Sequence, residues 1–177
     1  MKIYTYDNKI MTVGGKWMEQ PAQPGPGPGP SLPPYTIRLK FTEGVTPTFS
    51  KGTAVQVSSS PNIWDLTYEN TDWNNLLYGQ TDLLEVIGAN TTGVTDMNGL
   101  FHGCRSLTSI PLFNTSNVTA MNVMFYNCYN VQSGALALYR QASSQATIPE
   151  HSMTFRDCGI DTTTGRAELA QIPSDWK

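Results

Sequence analysis

Two consecutive stretches of 24 residues decide the fold. They are LLEVIGANTTGVTDMNGLFHGCRS, residues 83–106, and LTSIPLFNTSNVTAMNVMFYNCYN, residues 107–130. Between Val94–Ser106 and the segment 24 residues further on, six of thirteen positions are identical, whereas about one match is expected by chance. A fixed period of this length predicts a stack of similar units in which equivalent residues lie next to each other.

Each repeat has a strand-like half and a helix-like half. Leu83–Ile87 and Leu107–Leu112 are predicted to be short strands of a narrow parallel sheet. Between residues 94 and 104, apolar residues recur at i, i+3, i+6/7 and i+10, which predicts one face of a helix. Thr95 and Thr119 are the expected N-caps. The expected fold class is α/β, a short leucine-rich-repeat-like solenoid of strand–helix coils, because the period and the Leu-x-x-apolar start are typical of that architecture.

Two less regular copies flank the clear repeats. One is Asp72–Gly79, with a strand expected near Asn62–Leu66, and the other is Thr154–Cys158, whose extra residues include a predicted helix at Leu136–Arg140. The three cysteines close equivalent motifs, which predicts a buried column of thiols rather than a disulfide framework or a metal site. The repeat positions predicted to form the core are Leu83, Met97, Phe101, Cys104, Leu107, Met121, Phe125, Cys128, Phe155 and Cys158.

Residues 1–18 are predicted to be an N-terminal β attachment element. Three β-prone runs, Lys2–Tyr6, Lys9–Val13 and Lys16–Met18, are separated by turn pairs. Strands this short do not bury a core of their own, so they dock on another surface or associate with copies of themselves. A frayed terminus is the alternative. The side chains expected to make the attachment are Ile3, Tyr4, Tyr6, Ile10 and Trp17.

Residues 19–34 are predicted to be a Pro/Gly-rich linker, since seven of the twelve prolines lie there. Proline lacks an N–H group and fixes φ, which favours extended polyproline II segments. A spacer is the expected use, and a proline-rich ligand is the alternative. Residues 35–60 are predicted to be a β-hairpin that caps the first coil, and residues 61–177 to be the repeat head, closed by a C-terminal cap with Trp176.

Composition and motifs exclude several classes of function. A net charge of -3 with no basic stripe argues against nucleic-acid binding. No run of 18 apolar residues is present, so no membrane insertion is expected, and the first residues do not resemble a secretory signal. Asp72 and Asp96 are explained as first-turn residues of helices, and His102 and His151 have no partner at metal-ligand spacing. No catalytic site, metal or cofactor is predicted, and the chain is not expected to be an enzyme.

The segment Asn114–Cys128, NTSNVTAMNVMFYNC, resembles the BspA-type leucine-rich repeat. That resemblance covers roughly residues 60–160 and implies a surface protein used in adhesion, in a family without catalytic residues. The terminal strand element, the spacer and the short array resemble a bacteriophage virion fibre or decoration protein. The expected location is therefore the virion surface. The alternative is an adhesin or interaction module on the bacterial cell surface.

A binding role would depend on aromatic side chains, because tyrosines among Asn and Ser neighbours suit hydrated recognition of glycans or proteins. For Trp64 and Trp73, packing in the first coil is the alternative. The expected partners are other virion proteins through residues 1–18 and a host-surface glycan or protein through the head, with a homo-oligomer, a dimer or a trimer, formed by the chain itself. The candidate contacts are Trp64, Tyr68, Trp73, Tyr78, Tyr126 and Tyr129.

Overall fold

The computed structural model describes residues 32–177 continuously and, before them, three short strands. The strands β1 (Thr5–Tyr6), β2 (Lys9–Met11) and β3 (Trp17–Glu19) form an antiparallel sheet in that order. Met1–Ser31 and Leu32–Lys177 are separate units. The expected linker over residues 19–34 lies largely outside the described residues, and so do Ile3 and Tyr4.

A four-stranded antiparallel sheet begins the second unit. Its strands are β4 (Thr36–Phe41), β5 (Thr53–Ser59), β6 (Asn62–Thr67) and β7 (Leu83–Asn90), in the order β5-β6-β4-β7. Side chains alternate between the faces of a strand, so β4 buries its apolar residues at positions 37, 39 and 41 and turns Arg38 and Lys40 outward.

The expected pairing of β4 with β5 is wrong. Strand β6 lies between them, because β5 and β6 form the hairpin and β4 pairs with β6 and β7. The region expected as a parallel solenoid strand, Leu83–Ile87, belongs to β7 and is antiparallel to β4. This register places Leu83 opposite Phe41 and Val86 opposite Leu39, so both strands contribute their apolar face to one core.

The prediction of a strand–helix solenoid is also wrong. Within residues 32–177, the segments 71–80, 95–104 and 119–128 are tandem turns and contain no helix, and Leu107–Leu112 is not a strand. Left-handed residues recur four apart in these segments, as at Gly99 (φ 59°) and Gly103 (φ 75°). A right-handed helix cannot continue through such residues, and i→i+3 bonds close the individual turns.

Backbone hydrogen bonds join each turn segment to the next repeat. Trp73 N–H donates to Asp96 O over 2.9 Å, Met97 N–H to Ala120 O over 2.8 Å, and Met121 N–H to Glu150 O over 2.8 Å. In the first two repeats the bonds recur at every second residue, at positions 73, 75, 77 and 79 and again at 97, 99, 101 and 103. Residues one repeat apart therefore lie side by side.

Aromatic rings fill the interior of the stack. The Phe101 and Phe125 rings lie 5.1 Å apart at 10°, and those of Phe125 and Phe155 lie 6.0 Å apart at 2°. Trp176 stacks on Phe155 at 6.2 Å, at the end of the column. All the repeat positions named above from the sequence are buried, namely Leu83, Met97, Phe101, Cys104, Leu107, Met121, Phe125, Cys128, Phe155 and Cys158.

Two short α-helices and one 3-10 helix complete the second unit. They are α1 (Ala135–Ser143), which spans the helix expected at residues 136–140, α2 (Thr163–Leu169), and the 3-10 turn Ser174–Trp176. Thr162 caps α2, because its hydroxyl accepts a hydrogen bond from Gly165 N–H over 3.0 Å. The Glu168 carboxylate accepts from Gly134 N–H and Leu136 N–H at 3.3 and 3.1 Å, and this joins α2 to the start of α1.

Candidate binding surface

One ring side chain from each of three repeats forms a continuous row on the outside of the stack. The Tyr78 and His102 rings meet edge to face at 4.8 Å, and those of His102 and Tyr126 meet edge to face at 4.9 Å. The guanidinium of Arg156, from the next repeat, lies 5.9 Å from the centre of the Tyr126 ring. These four residues, Tyr78, His102, Tyr126 and Arg156, are called the aromatic column below.

The repeat geometry places the aromatic column. Tyr78 N–H bonds to Asn75 O, His102 N–H to Gly99 O and Tyr126 N–H to Val123 O, so the three rings occupy the same position of equivalent turns. The preceding and following residues of each turn point into the core, which leaves this position facing outward. Tyr78 is 57% exposed.

A second pair of side chains lies three residues further along the same repeats. The Arg105 guanidinium lies 5.6 Å from the centre of the Tyr129 ring. Arg105 follows His102 in its repeat as Tyr129 follows Tyr126 in the next one. Arg105 is exposed, and no carboxylate of residues 32–177 lies within ion-pair distance of it.

An open groove of about 510 Å³ adjoins the Tyr78 end of the column. The loop 45–50 forms one side of the groove and residues 78–82 form the other. Gln80 Nε2 joins the two sides by donating to Thr48 O over 2.7 Å. The groove is lined mainly by polar groups, including those of Thr46, Thr48, Ser50, Gln80, Thr81 and Asp82.

The aromatic side chains expected as contacts occupy different environments. Tyr78 and Tyr126 lie in the column, and Tyr129 lies beside it under Arg105. Trp73 is fully buried, with its Nε1–H directed at Tyr68 O over 3.3 Å, so it fills the core. Trp64 is half-buried against the same core.

The sixth expected contact, Tyr68, is half-buried, and Lys51 Nζ lies 5.9 Å from its ring centre. Of the side chains expected to attach the N-terminal segment, Tyr6, Ile10 and Trp17 belong to β1, β2 and β3.

His102 and His151 were expected to be ordinary exposed residues, but both have aromatic neighbours. Partial burial between two tyrosines lowers the pKa of His102 below its ordinary value of 6.5. The His151 ring stacks on Trp176 at 4.1 Å, with its Nδ1 at 2.7 Å from Pro149 O. The role of His102 could have been found from its 24-residue offset from Tyr78 and Tyr126.

The polar side chains of the turns stabilise the backbone. Asp72 and Asp96 do not begin helices: each Oδ1 accepts from the N–H two residues on, at 2.8 and 2.7 Å. These are Asx turns. Thr95 and Thr119 are not N-caps, since their hydroxyls donate to carbonyls of the preceding repeat.

No group of three His, Cys, Asp or Glu side chains among the described residues is arranged to hold a metal ion. None of the helices that the structure describes has the length and apolar character needed to cross a bilayer.

Comparison with known proteins identifies the family. Residues 45–149, more than half of the chain, match the family model described as "Mycoplasma protein of unknown function, DUF285". No curated protein and no solved structure is significantly similar to the chain. The resemblance to the BspA-type repeat is confirmed at the level of the family, and the chain belongs to DUF285, a family of BspA-like surface repeat proteins.

Proposed function

We propose that residues 32–177 form a non-enzymatic binding module that recognises glycans through the aromatic column. The observation that carries the proposal is the row of Tyr78, His102 and Tyr126, one ring per repeat on the outside of the stack. An aromatic ring presents apolar area to the C–H face of a sugar, and the tyrosine hydroxyl remains free for hydrogen bonds. A row of such rings favours an extended polymer.

The groove beside Tyr78 supports the same function. It is open and lined by hydroxyl, amide and carboxylate groups, which are suited to sugar hydroxyls. The column and the groove share Tyr78, so one chain could lie on the rings and place its end among polar groups. Short polar contacts of this kind fix the orientation of a ligand held mainly by apolar contact.

Binding to a panel of immobilised glycans tests the proposal. We expect Tyr78→Ala and Tyr126→Ala each to weaken binding about tenfold or more, because truncating a central aromatic contact typically costs about 1.4 kcal/mol or more. Leu112→Ala is the control, since Leu112 is 66% exposed and lies outside the column. Unchanged affinity in both tyrosine variants would contradict the proposal, and hydrolysis of a bound glycan would replace it with an enzymatic function.

We propose further that the module is displayed on a virion, with residues 1–18 attached to other virion proteins and residues 19–34 acting as a spacer. Membership of a surface repeat family and the composition of the first 34 residues support display. Display on a bacterial cell surface is the second candidate, because the family is described from Mycoplasma. Assembly as a dimer or trimer through the N-terminal strands would multiply weak contacts with a surface.

Deletion of residues 1–31 tests the display proposal. Leu32 is retained because its carbonyl accepts from Asn90 Nδ2 over 2.8 Å. We expect the shortened chain to unfold at the same denaturant concentration, to bind glycan as a monomer, and to be missing from purified particles. Particles that contain as much of the shortened chain as of the full chain would contradict attachment through this segment. Recovery of the full chain only in bacterial surface fractions would favour the second candidate.

A further inference from the structure

We infer that the glycan recognised by the aromatic column is acidic, with carboxylate or sulfate groups along its chain. The inference rests on the proposed function and adds the chemical class of the ligand. It comes from two exposed guanidinium groups that lie against the tyrosines of this surface, Arg105 on Tyr129 and Arg156 on Tyr126.

Arg105 is prepared to bind an anion. Its guanidinium lies over the Tyr129 ring, which restricts its orientation without using its N–H groups. No carboxylate of residues 32–177 pairs with it. A planar guanidinium donates two parallel hydrogen bonds to a carboxylate or sulfate, and such charge-assisted bonds are stronger than neutral ones.

Arg156 is nearly as available. Its Nε is 3.9 Å from the Asp157 carboxylate, at the limit of an ion pair, and both side chains are about half exposed. Such a contact has little energetic weight in water. Arg38 makes the contrast, because it forms two bonds of 2.7 Å with Asp65 on the sheet and is already satisfied.

The positions of the two arginines fit a polymer that lies along the column. Arg105 belongs to the repeat of His102, and Arg156 belongs to the repeat after that of Tyr126. Two steps of the stack separate them, about 10 Å if neighbouring repeats lie at strand spacing. That separation is comparable to one disaccharide, so acidic groups present once per disaccharide could meet both guanidinium groups.

The attraction is local. The chain carries a net charge of -3, so the molecule as a whole does not attract polyanions. Binding therefore depends on contact between individual guanidinium and acidic groups. Their interaction is weakened by salt, because the Debye length falls from about 10 Å at 0.1 M to about 3 Å at 1 M.

Interferometry with the full chain and four polysaccharides tests the inference. The probes are chondroitin sulfate, polygalacturonate, desulfated and carboxyl-reduced chondroitin, and dextran, each at 50 and 300 mM NaCl. We expect one of the two acidic polymers to bind at least tenfold more tightly than the two neutral ones, with a clear loss at higher salt. Which acidic polymer binds distinguishes sulfate from carboxylate as the recognised group.

Charge-removing variants localise the effect. Arg105→Gln and Arg156→Gln are expected to weaken acidic-polymer binding about five- to tenfold each and to reduce its salt dependence. Arg105→Lys is expected to recover only part of the affinity, because an ammonium cannot form the two parallel bonds. Arg140→Gln is the matched control, since Arg140 is an exposed arginine on α1. Equal unfolding midpoints establish that the variants are folded.

The outcomes separate the two proposals. If neutral polymers bind as tightly as acidic ones and Tyr126→Ala abolishes binding, the glycan function stands and the acidic class is wrong. If Arg140→Gln weakens binding as much as Arg105→Gln, the attraction is non-specific and the inference is wrong. If a broad glycan panel gives no binding, or binding that Tyr78→Ala and Tyr126→Ala do not change, both proposals fail.

Discussion

Phe125 shows at the scale of one residue how the stack is held together. Its ring is fully buried and lies between those of Phe101 and Phe155, nearly parallel to both. The backbone ladder fixes the distance between repeats, so neighbouring side chains cannot close a space left in the middle of the row. An interior residue with rigid surroundings gives the largest losses on truncation.

Phe125→Ala is expected to lower the free energy of unfolding by about 3–5 kcal/mol. Leu112→Ala, at an exposed position, is expected to change it by less than about 0.5 kcal/mol. Urea titration followed by tryptophan fluorescence measures both. A loss below about 1 kcal/mol for Phe125→Ala, with an unchanged m-value, would mean that the repeats can close around the missing ring.

His102 gives the stack a pH dependence. Its partial burial disfavours the charged form and lowers the pKa in the folded chain, so the unfolded chain binds this proton more readily. The contribution to stability is therefore complete above pH 6.5 and declines as the pH falls below that value. We expect the urea midpoint to fall less between pH 7.5 and pH 5 in His102→Gln than in the unchanged chain. An equal fall in both would exclude His102 as the cause.

At the scale of elements, the turn segments explain why helices were expected and not found. Four-residue turns repeat apolar residues almost as a helix does, so Met97, Leu100 and Cys104 fit both patterns. The distinguishing signal was Gly99 and Gly103, four apart, in a segment that would otherwise be a helix interior, where glycine is unfavourable. Val123, at the position of Gly99 in the next repeat, is also left-handed, at φ 50°, and nothing in its residue type indicates that.

The sheet order could not be predicted for a different reason. The alternation in β4 and β6 identified both as strands, but the same alternation allows β4 to pair with either β5 or β6. The choice depends on contacts far apart in sequence, such as Leu39 opposite both Trp64 and Val86. A single sequence does not contain that information.

Contact between α2 and the third repeat depends on two glycines. A Cβ on Gly159, at φ 70°, would lie 2.5 Å from Val131 O and 2.9 Å from Gly165 Cα. Gly159→Ala is expected to cost about 2–5 kcal/mol, from the left-handed backbone and the steric overlap together. Gly44→Ala is the control, because Gly44 has a similar φ of 76° with no atom within 4 Å, and is expected to cost about 1–2 kcal/mol. Urea midpoints that shift equally would show that the overlap has no effect.

At the scale of the whole molecule, the repeat period and the family could be predicted from the sequence. Residues 24 apart, such as Asp72 and Asp96, are bridge partners in the structure, and the motif at 114–128 led to the family. The candidate surface was predicted in part. Tyr78 and Tyr126 were named from composition, whereas Arg105, Arg156 and His102 were not, because their proximity to tyrosines depends on the register between repeats.

The three thiols report whether residues 32–177 unfold as one unit. Cys104, Cys128 and Cys158 are free and buried in different repeats. Burial raises the pKa of Cys104 to about 12 and raises those of Cys128 and Cys158 as well, so none is a thiolate at pH 8.

We expect no thiol to react with a disulfide reagent at pH 8 in the native chain, and all three to react at one common rate in moderate urea. Mass spectrometry of the labelled peptides gives the rate for each cysteine. Faster labelling of Cys158 alone would mean that the last repeat opens independently of the others.

The register between repeats also limits how the gene can lengthen. The third and fourth repeats are joined as the others are, by bonds such as Phe125 N–H to Thr154 O, although six more residues separate them and α1 lies in that interval. Duplication of one 24-codon unit would preserve every joint and add one ring to the outer row. Insertions of any other length are tolerated only where the chain leaves the ladder, so receptor reach can evolve in whole steps while the fold stays the same.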